Sequence, residues 1–417
     1  MAARFAEQLA WIDSQYPRMA ELVSAWSALN TGSRNLRGLA AFLARLDGDF
    51  SDLGGLETIS LPEEERVDDT GHIEHAPLGA AVRLRSPGRQ PDVPSVLLGI
   101  HMDTVFAADD PFQHVEQTRT GVGEGILRGP GVADAKGGLA VMLFALLALE
   151  RSEWAGRLRW EVLVTPDEEL GSPGSGSLWN EAAGRNDLGL LYEPALADGT
   201  LAGSRKGSGN FVFVVHGRGA HAGRNFTEGR SAVHAVAEAV GEIAALNGAM
   251  DGVTANVGVI RGGTTPNVVA DLALCRANVR VATTLDQNEV ESYLVRVAAK
   301  INAHDGLRCE LHGRFHCPPK PLDEGTRRVL EALRDCGQRI GVPIAWKPTG
   351  GVCDGNRLAA AGLPTVDSLG VRGGNIHTDN EFVELASLTE RAKLSALFLM
   401  RLAAGDISLP ARSELHA

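Results

Sequence analysis

Val96-Leu97-Leu98-Gly99-Ile100-His101-Met102-Asp103-Thr104 (residues 96–104) decides how this chain is read: an apolar run of strand type ends in His-x-Asp. Three further apolar runs lead to acids or a histidine. Val162-Leu163-Val164 runs into Thr165-Pro166-Asp167-Glu168-Glu169, and Leu188-Gly189-Leu190-Leu191-Tyr192 into Glu193. Thr365-Val366-Asp367-Ser368-Leu369 precedes a loop carrying His377. In an open parallel sheet, ligands bind just beyond the carboxyl ends of the strands, so residues far apart in sequence can converge there. Two imidazoles and several carboxylates at one point suit zinc better than calcium or magnesium, which prefer oxygen alone. The pattern reads as a metallohydrolase.

The totals agree with a soluble enzyme of two domains. A chain of 417 residues exceeds what one hydrophobic core usually supports. Apolar content of 44% and charged content of 22% are ordinary for a globular protein. A net charge of −12 argues against nucleic acid as a partner, because such binding needs a basic face. Cys275, Cys309, Cys317, Cys336 and Cys353 are odd in number and widely spaced, the pattern of reduced thiols in a cytoplasmic protein. The N-terminus lacks an apolar stretch of signal-peptide length. The run Leu139 to Leu149 is too short for a membrane span and reads as a core helix, so no membrane partner is expected.

The hydrophobic spacing predicts two helices over residues 5–47, then alternating strands and helices to about Arg205. That alternation implies a mostly parallel sheet covered by helices, an α/β catalytic domain. The texture changes at about Lys206. Strand, helix, strand, strand, helix, strand over some 110 residues is the order of an α+β ferredoxin-like unit, closed by the stiff linker Pro318-Pro319-Lys320-Pro321. The expected architecture is a catalytic domain of residues 1–205 and 318–417, interrupted by a domain of residues 206–317.

Each candidate residue also has an ordinary reading. A histidine ending a strand is more often a satisfied or exposed side chain than a ligand. Asp103, two residues beyond His101, could accept its second ring N–H and fix the tautomer, as metal-binding histidines require. Asp134 lies in the glycine-rich turn Gly129-Pro130-Gly131-Val132-Ala133-Asp134-Ala135-Lys136-Gly137-Gly138 before an apolar helix, where it could simply cap that helix. Glycines on both sides favour instead a backbone held close to something. Glu168-Glu169 could be a solvated turn. Successive extended residues point different ways, however, so one carboxylate could bind metal while the other acts as general base.

Together these stretches resemble the M20 zinc aminoacylase/carboxypeptidase family, most closely its bacterial glutamate carboxypeptidases. The resemblance spans about residues 20–400. It rests on His101 to Val105, Gly129 to Gly138, Asp167 to Ser172, Tyr192-Glu193-Pro194, Gly219-Ala220-His221-Ala222-Gly223, Thr264 to Asn267 and His377-Thr378-Asp379. It implies two zinc ions per chain, with Asp134 as the bridge. His101 and Glu193 would complete one site, Glu169 and His377 the other. Glu168 would be the catalytic base and Asp103 the partner of His101. The inserted domain would be a lid and homodimerisation module. His221 would reach the partner subunit's active site, Asn267 would meet the substrate, and Arg280 would grip its carboxylate. Two departures stand out: Ala135 follows the bridging position, where the family often has an acid or methionine, and Thr349-Gly350-Gly351-Val352-Cys353-Asp354-Gly355 replaces a Gly-Gly-Gly/Ser-Thr-Asp turn.

The function so implied is zinc-dependent hydrolysis of an amide, as a carboxypeptidase releasing a C-terminal amino acid such as glutamate. The runner-up is a deacylase of N-acylated amino acids, of the acetylornithine or succinyl-diaminopimelate type. Lys206, Arg224 and Arg372 are candidates for a second anionic group in either case. A dinucleotide site at Gly217-Arg218-Gly219-Ala220-His221-Ala222-Gly223 has the wrong spacing and no acid at the expected distance. A serine hydrolase would need a G-x-S-x-G elbow, which the sequence lacks. An inactive binding protein on this fold would have lost ligands, and every position here is filled.

Overall fold

The structure is a computed structural model and describes residues 2–87, 92–119 and 125–409. Its central sheet has six strands in the order Glu57–Ile59, Ala81–Arg85, Arg159–Thr165, Ser95–His101, Leu188–Leu191, Thr365–Val366. The last four strands run parallel, and the first two join antiparallel at one edge.

Every residue of Ser95–His101 is buried, as a strand covered on both faces demands. The period of two sorts its side chains. Val96, Leu98 and Ile100 join the core around the helix Gly138–Glu150, whose first twelve residues are all buried. Leu97 joins Trp179, Leu163 and Leu191 on the opposite face. Gly99 is glycine for a steric reason: a Cβ there would lie 2.5 Å from the Trp179 ring. The apolar run Leu139 to Leu149 is thus part of a core helix and buried throughout.

Three helices rather than two open the chain: Ala6–Ser14, Tyr16–Ser27 and Leu36–Asp49. Pro17 lies in the first turn of the second, where the missing N–H breaks continuity with the first. Asn35 caps the third, its side chain accepting from the Gly38 N–H at 3.0 Å.

Residues Gly207–Cys317 build a separate four-stranded antiparallel sheet with the order Thr254–Gly262, Leu272–Val281, Gly207–His216, Arg308–Cys317. The helices Ala232–Ala245 and Thr284–Asn302 pack on one face around Phe213, Cys275, Val279, Val290 and Leu294. This is the expected ferredoxin-like order. The other face is open and polar at one end, where Ser208 stands opposite Arg280 and Asn210 opposite Asn278. Further along that face, Val67, from the hairpin Glu64–Val67/Ile73–Ala76, packs on Val214 and Leu274.

The proline-rich segment is no solvated spacer. Arg205 and Lys320 exchange backbone hydrogen bonds of 2.9 and 3.0 Å where the chain passes into and out of the small sheet. The Lys320 side chain is fully buried.

Candidate active site

Five chain segments meet beyond the carboxyl ends of the central strands. His101 ends its strand, Glu168 and Glu169 follow Arg159–Thr165 in a short helical turn, and Glu193 follows Leu188–Leu191. Asp134 comes from the turn before the core helix. That turn opens on Gly131 at φ +73°, a left-handed conformation that glycine adopts without penalty, and the Asp134–Ala135 peptide is cis. A small antiparallel sheet of Gly373–Gly374, Phe382–Glu384, Gly125–Arg128 and Glu116–Arg119 brings the His377 loop to the same place. His377 itself sits at φ +62°, a backbone conformation uncommon for a non-glycine residue and frequent at functional sites.

The convergence is tight. Oδ1 of Asp134 lies 2.9 Å from Nε2 of His101, and Oδ2 lies 3.2 Å from Nε2 of His377. Glu193 Oε2 stands 3.5 Å from the same nitrogen of His101, and Glu169 Oε2 stands 3.3 Å from that of His377. His101, Asp134 and Glu169 alone offer ligand atoms all within 4.8 Å of one another. Each candidate ligand is therefore present, and Asp134 faces both imidazoles.

The second nitrogen of His101 differs in detail from expectation. Nδ1 lies 3.0 Å from the Asp103 carbonyl oxygen and 3.4 Å from its carboxylate. The shorter contact fixes the tautomer through the backbone. The Asp103 carboxylate spends its hydrogen bonds elsewhere, accepting from Ser33 Oγ at 2.7 Å and from the Glu168 and Glu169 N–H groups at 3.2 Å each. Asp103 so ties the glutamate turn to the end of the histidine's strand.

Electrostatics mark the cluster. Burial pushes Glu168 well above the usual carboxylate range, helped by Glu193 and Glu169, and it pushes Glu169 to about 7. Hydrogen bonds donated to Asp134 and Glu169 raise His377 to about 11. Burial would lower His101, but Glu193, Asp103 and Asp134 outweigh it and hold the imidazole raised. Burial would likewise raise Asp134, yet the two imidazoles hold it low. Among the described residues no lysine or arginine comes within ion-pair distance of Asp134, Glu168, Glu169 or Glu193. Four carboxylates gathered with two imidazoles and no other cation are costly unless positive charge is supplied. The donor set fits divalent metal.

A cavity of about 530 Å³ opens from this cluster. Arg280, which the resemblance assigns to the substrate carboxylate, lines it. Its Nε donates to Asn278 Oδ1 at 3.0 Å, and Nη1 reaches the Gly350 carbonyl at 3.4 Å. Both partners are neutral, and among the described residues no carboxylate lies within ion-pair distance. His221 and Asn267 are not brought here. Both are exposed, on and beside the short ribbon Ala220–His221/Val268–Val269, and neither lines the cavity.

The candidates for a second anion fare differently. Arg372 is held by Glu384 at 2.9 Å and by Glu390, and neither it nor Lys206 nor Arg224 lines the cavity. Arg205, Arg357 and His316 line it instead. Arg205 pairs with Asp367 at 2.9 Å and Arg357 with Asp354 at 3.4 Å. Burial, with Arg357, Arg280 and Arg314 nearby, lowers His316 to about 4. Cys353 and Cys317 also face the cavity, and all five cysteines are unpaired and buried. None of these wall residues carries a local motif. His316 and Cys317 arrive on the last strand of the second sheet, whereas Arg205, Arg357 and Cys353 come from outside it.

With this geometry in view, comparison with known proteins is decisive. Peptidase family M20/M25/M40 matches residues 97–401. The chain belongs to that family. It is an amide-bond hydrolase of metallopeptidase type. Carboxypeptidase G2 of Pseudomonas sp. (strain RS-16) is 27% identical over 408 residues, covering 94% of this chain and 91% of that one. A succinyl-diaminopimelate desuccinylase of Corynebacterium glutamicum is 26% identical over 321 residues, covering 73% and 80%. Among solved structures, the M20 family metallo-carboxypeptidase Sso-CP2 from Sulfolobus solfataricus superposes with a TM-score of 0.70 at 16% identity, covering 93% of this chain and 99% of that one. At that identity the likeness is one of fold. Every segment that the sequence resemblance rests on falls within the matched residues.

Proposed function

We propose that this M20 peptidase is a zinc-dependent carboxypeptidase that releases an amino acid with a free carboxylate, such as glutamate, from a peptide or N-acyl amino acid. The observation that carries this reading is Arg280, a half-buried guanidinium in the same cavity as Glu168 that has no acid within ion-pair distance among the described residues. Burial lowers its pKa, which an incoming carboxylate would reverse. Guanidinium and carboxylate match in a bidentate fork.

His101, Asp134 and Glu193 would hold one zinc ion, and Asp134, Glu169 and His377 a second. Bound there, the ions would lower the pKa of water and polarise the scissile carbonyl. Glu168 takes a proton from the attacking water and returns it to the leaving nitrogen. Its raised affinity for a proton suits both halves of that task. Arg280 orients the substrate so that its amide lies over the acid cluster.

The exposed positions of His221 and Asn267 support a homodimer, in which His221 of the partner subunit would complete the oxyanion site. The strand Thr254–Gly262 is an edge of its sheet, and Ile260, Val268 and Phe226 are exposed apolar side chains nearby in sequence. The polar face of Gly207–Cys317, which forms part of the cavity wall, supports a lid role for it. The unpaired thiols favour a cytoplasmic setting.

An N-acyl-amino-acid deacylase is the second reading, because Arg280 serves a carboxylate beside the scissile amide in either case. Turnover of C-terminal glutamyl and aspartyl peptides against N-acetyl and N-succinyl amino acids, with metal content on the same sample, separates the two. Protein that carries metal but cleaves none of them would leave a binding protein.

A further inference from the structure

Glu381 has no place in the chemistry above, yet it is among the most deeply placed acids of the molecule at 1% exposure. Its carboxylate accepts three backbone N–H groups from the turn that carries Asp134. Oε1 accepts from Ala133 at 2.9 Å and Asp134 at 3.0 Å, and Oε2 accepts from Gly131 at 3.1 Å. The Glu381 carbonyl accepts a fourth, from Gly129, at 3.2 Å. Glu381 stands four residues beyond His377 in the same loop. Arg128 reinforces the junction, donating to the Asp379 carbonyl at 2.6 Å through Nη2.

We infer that Glu381 is the positioning residue for the second metal site, latching the His377 loop to the Asp134 turn. The inference rests on the two-ion reading above. Asp134 and His377 come from segments over two hundred residues apart, and His377 is half exposed, so little packing fixes its ring. Three N–H groups converging on one carboxylate set the distance between the two backbones, and each such charge-assisted bond is stronger than a neutral one. Groups behind metal ligands commonly control affinity by about 10–100-fold. The first site shares Asp134 but draws its other two ligands, His101 and Glu193, from strand ends of the central sheet, whereas His377 of the second sits on the loop that Glu381 latches. Loss of Glu381 therefore weakens the second site more than the first.

Calorimetric titration of apoprotein with zinc, repeated with cobalt to read the visible spectrum of each site, tests this on Glu381→Gln. The wild type should take two equivalents. The variant should keep one at near wild-type affinity and bind the other about 10–100-fold more weakly, losing one component of the cobalt spectrum. Glu161→Gln, which removes a buried acid remote from the site, should keep both equivalents and so control for general loosening. If Glu381→Gln cannot be purified folded, Arg128→Ala should weaken the same single site a few-fold. Wild-type affinity at both sites, or equal weakening of both, in the variant that is read overturns the latch. A wild type that takes only one equivalent overturns the two-ion reading, and the latch with it.

Discussion

Lys320 Nζ lies 3.0 Å from Asp367 Oδ2, and both side chains are wholly shielded from solvent. Arg205 Nε holds the other oxygen of Asp367 at 2.9 Å. One buried carboxylate thus serves two cations at the point where the chain crosses between the two sheets. Attraction from both keeps Asp367 below the usual carboxylate range against its burial. Removing one member of a buried ion group leaves an uncompensated charge, at a cost of about 3–5 kcal/mol. Asp367→Asn strands two cations, whereas Lys320→Met leaves Asp367 paired to Arg205. We predict that Asp367→Asn lowers the urea midpoint by the larger amount, with Lys320→Met clearly milder. Equal midpoints would show that the pair contributes little.

Glu168 is predicted to act through its proton and not through metal binding. Glu168→Gln should lower kcat by about 10²–10⁴-fold, the range for a general acid–base residue. Metal content, measured by mass spectrometry on the same preparation, should stay at the wild-type level. A variant that loses metal and activity together would make Glu168 a ligand instead.

Arg280 should decide recognition of the carboxylate. Arg280→Met is predicted to cost about 2–5 kcal/mol, the range for truncating one side of a desolvated charge pair. That corresponds to a loss of roughly 30-fold or more in kcat/KM. Substrate amides, which lack the carboxylate, should be hydrolysed equally poorly by variant and wild type. A variant that keeps its preference for the free acid would move the anchor elsewhere, with Arg205 the next cation in the wall.

Chelation should act on stability as well as on rate. If ions bridge His101, Asp134, Glu169, Glu193 and His377, their removal leaves mutually repelling carboxylates. A ligand present at about 100 times its dissociation constant contributes about 2.7 kcal/mol. Treatment with a chelator should therefore abolish turnover and lower Tm, and added zinc should restore both. Activity that survives exhaustive chelation would remove the metal from the reaction.

His316 gives the acid limb a signed prediction. Its folded pKa is about 4 against an ordinary value of 6.5, so between those values the unfolded chain binds the extra proton. Stability then falls as the pH drops from 6.5 toward 4. The contribution is no more than about 3 kcal/mol and is reduced because the ring borders the cavity. His316→Gln should flatten the fall of Tm across that window. An unchanged slope would assign the acid sensitivity to other groups.

The chemistry of this site was legible because it is concentrated at strand ends. A strand buried on both faces must be apolar, so His101, Glu168, Glu169 and Glu193 stand out where those runs stop. The glycine-rich turn around Asp134 and the loop of His377 carry equally local signals. The order of elements across Gly207–Cys317 was legible for the same reason, since periods of two and of 3.6 alternate clearly there. The sequence thus pointed to the cluster of acids and histidines, the family and both sheets.

Tertiary structure decided what lies between those pieces. Glu381, Arg205, Arg357 and His316 are ordinary residues in sequence; the first three reach the Asp134 turn, Asp367 and the Gly171 carbonyl far along the chain, and His316 is buried beside Arg357 and Arg280. Lys320 reads as part of a stiff linker until Asp367 is placed beside it. His221 and Asn267, both legible by resemblance, lie outside the cavity of their own chain. Local patterning encodes which face of an element is buried, whereas the pairing of buried charges and the walls of a cavity depend on how segments far apart in the chain meet.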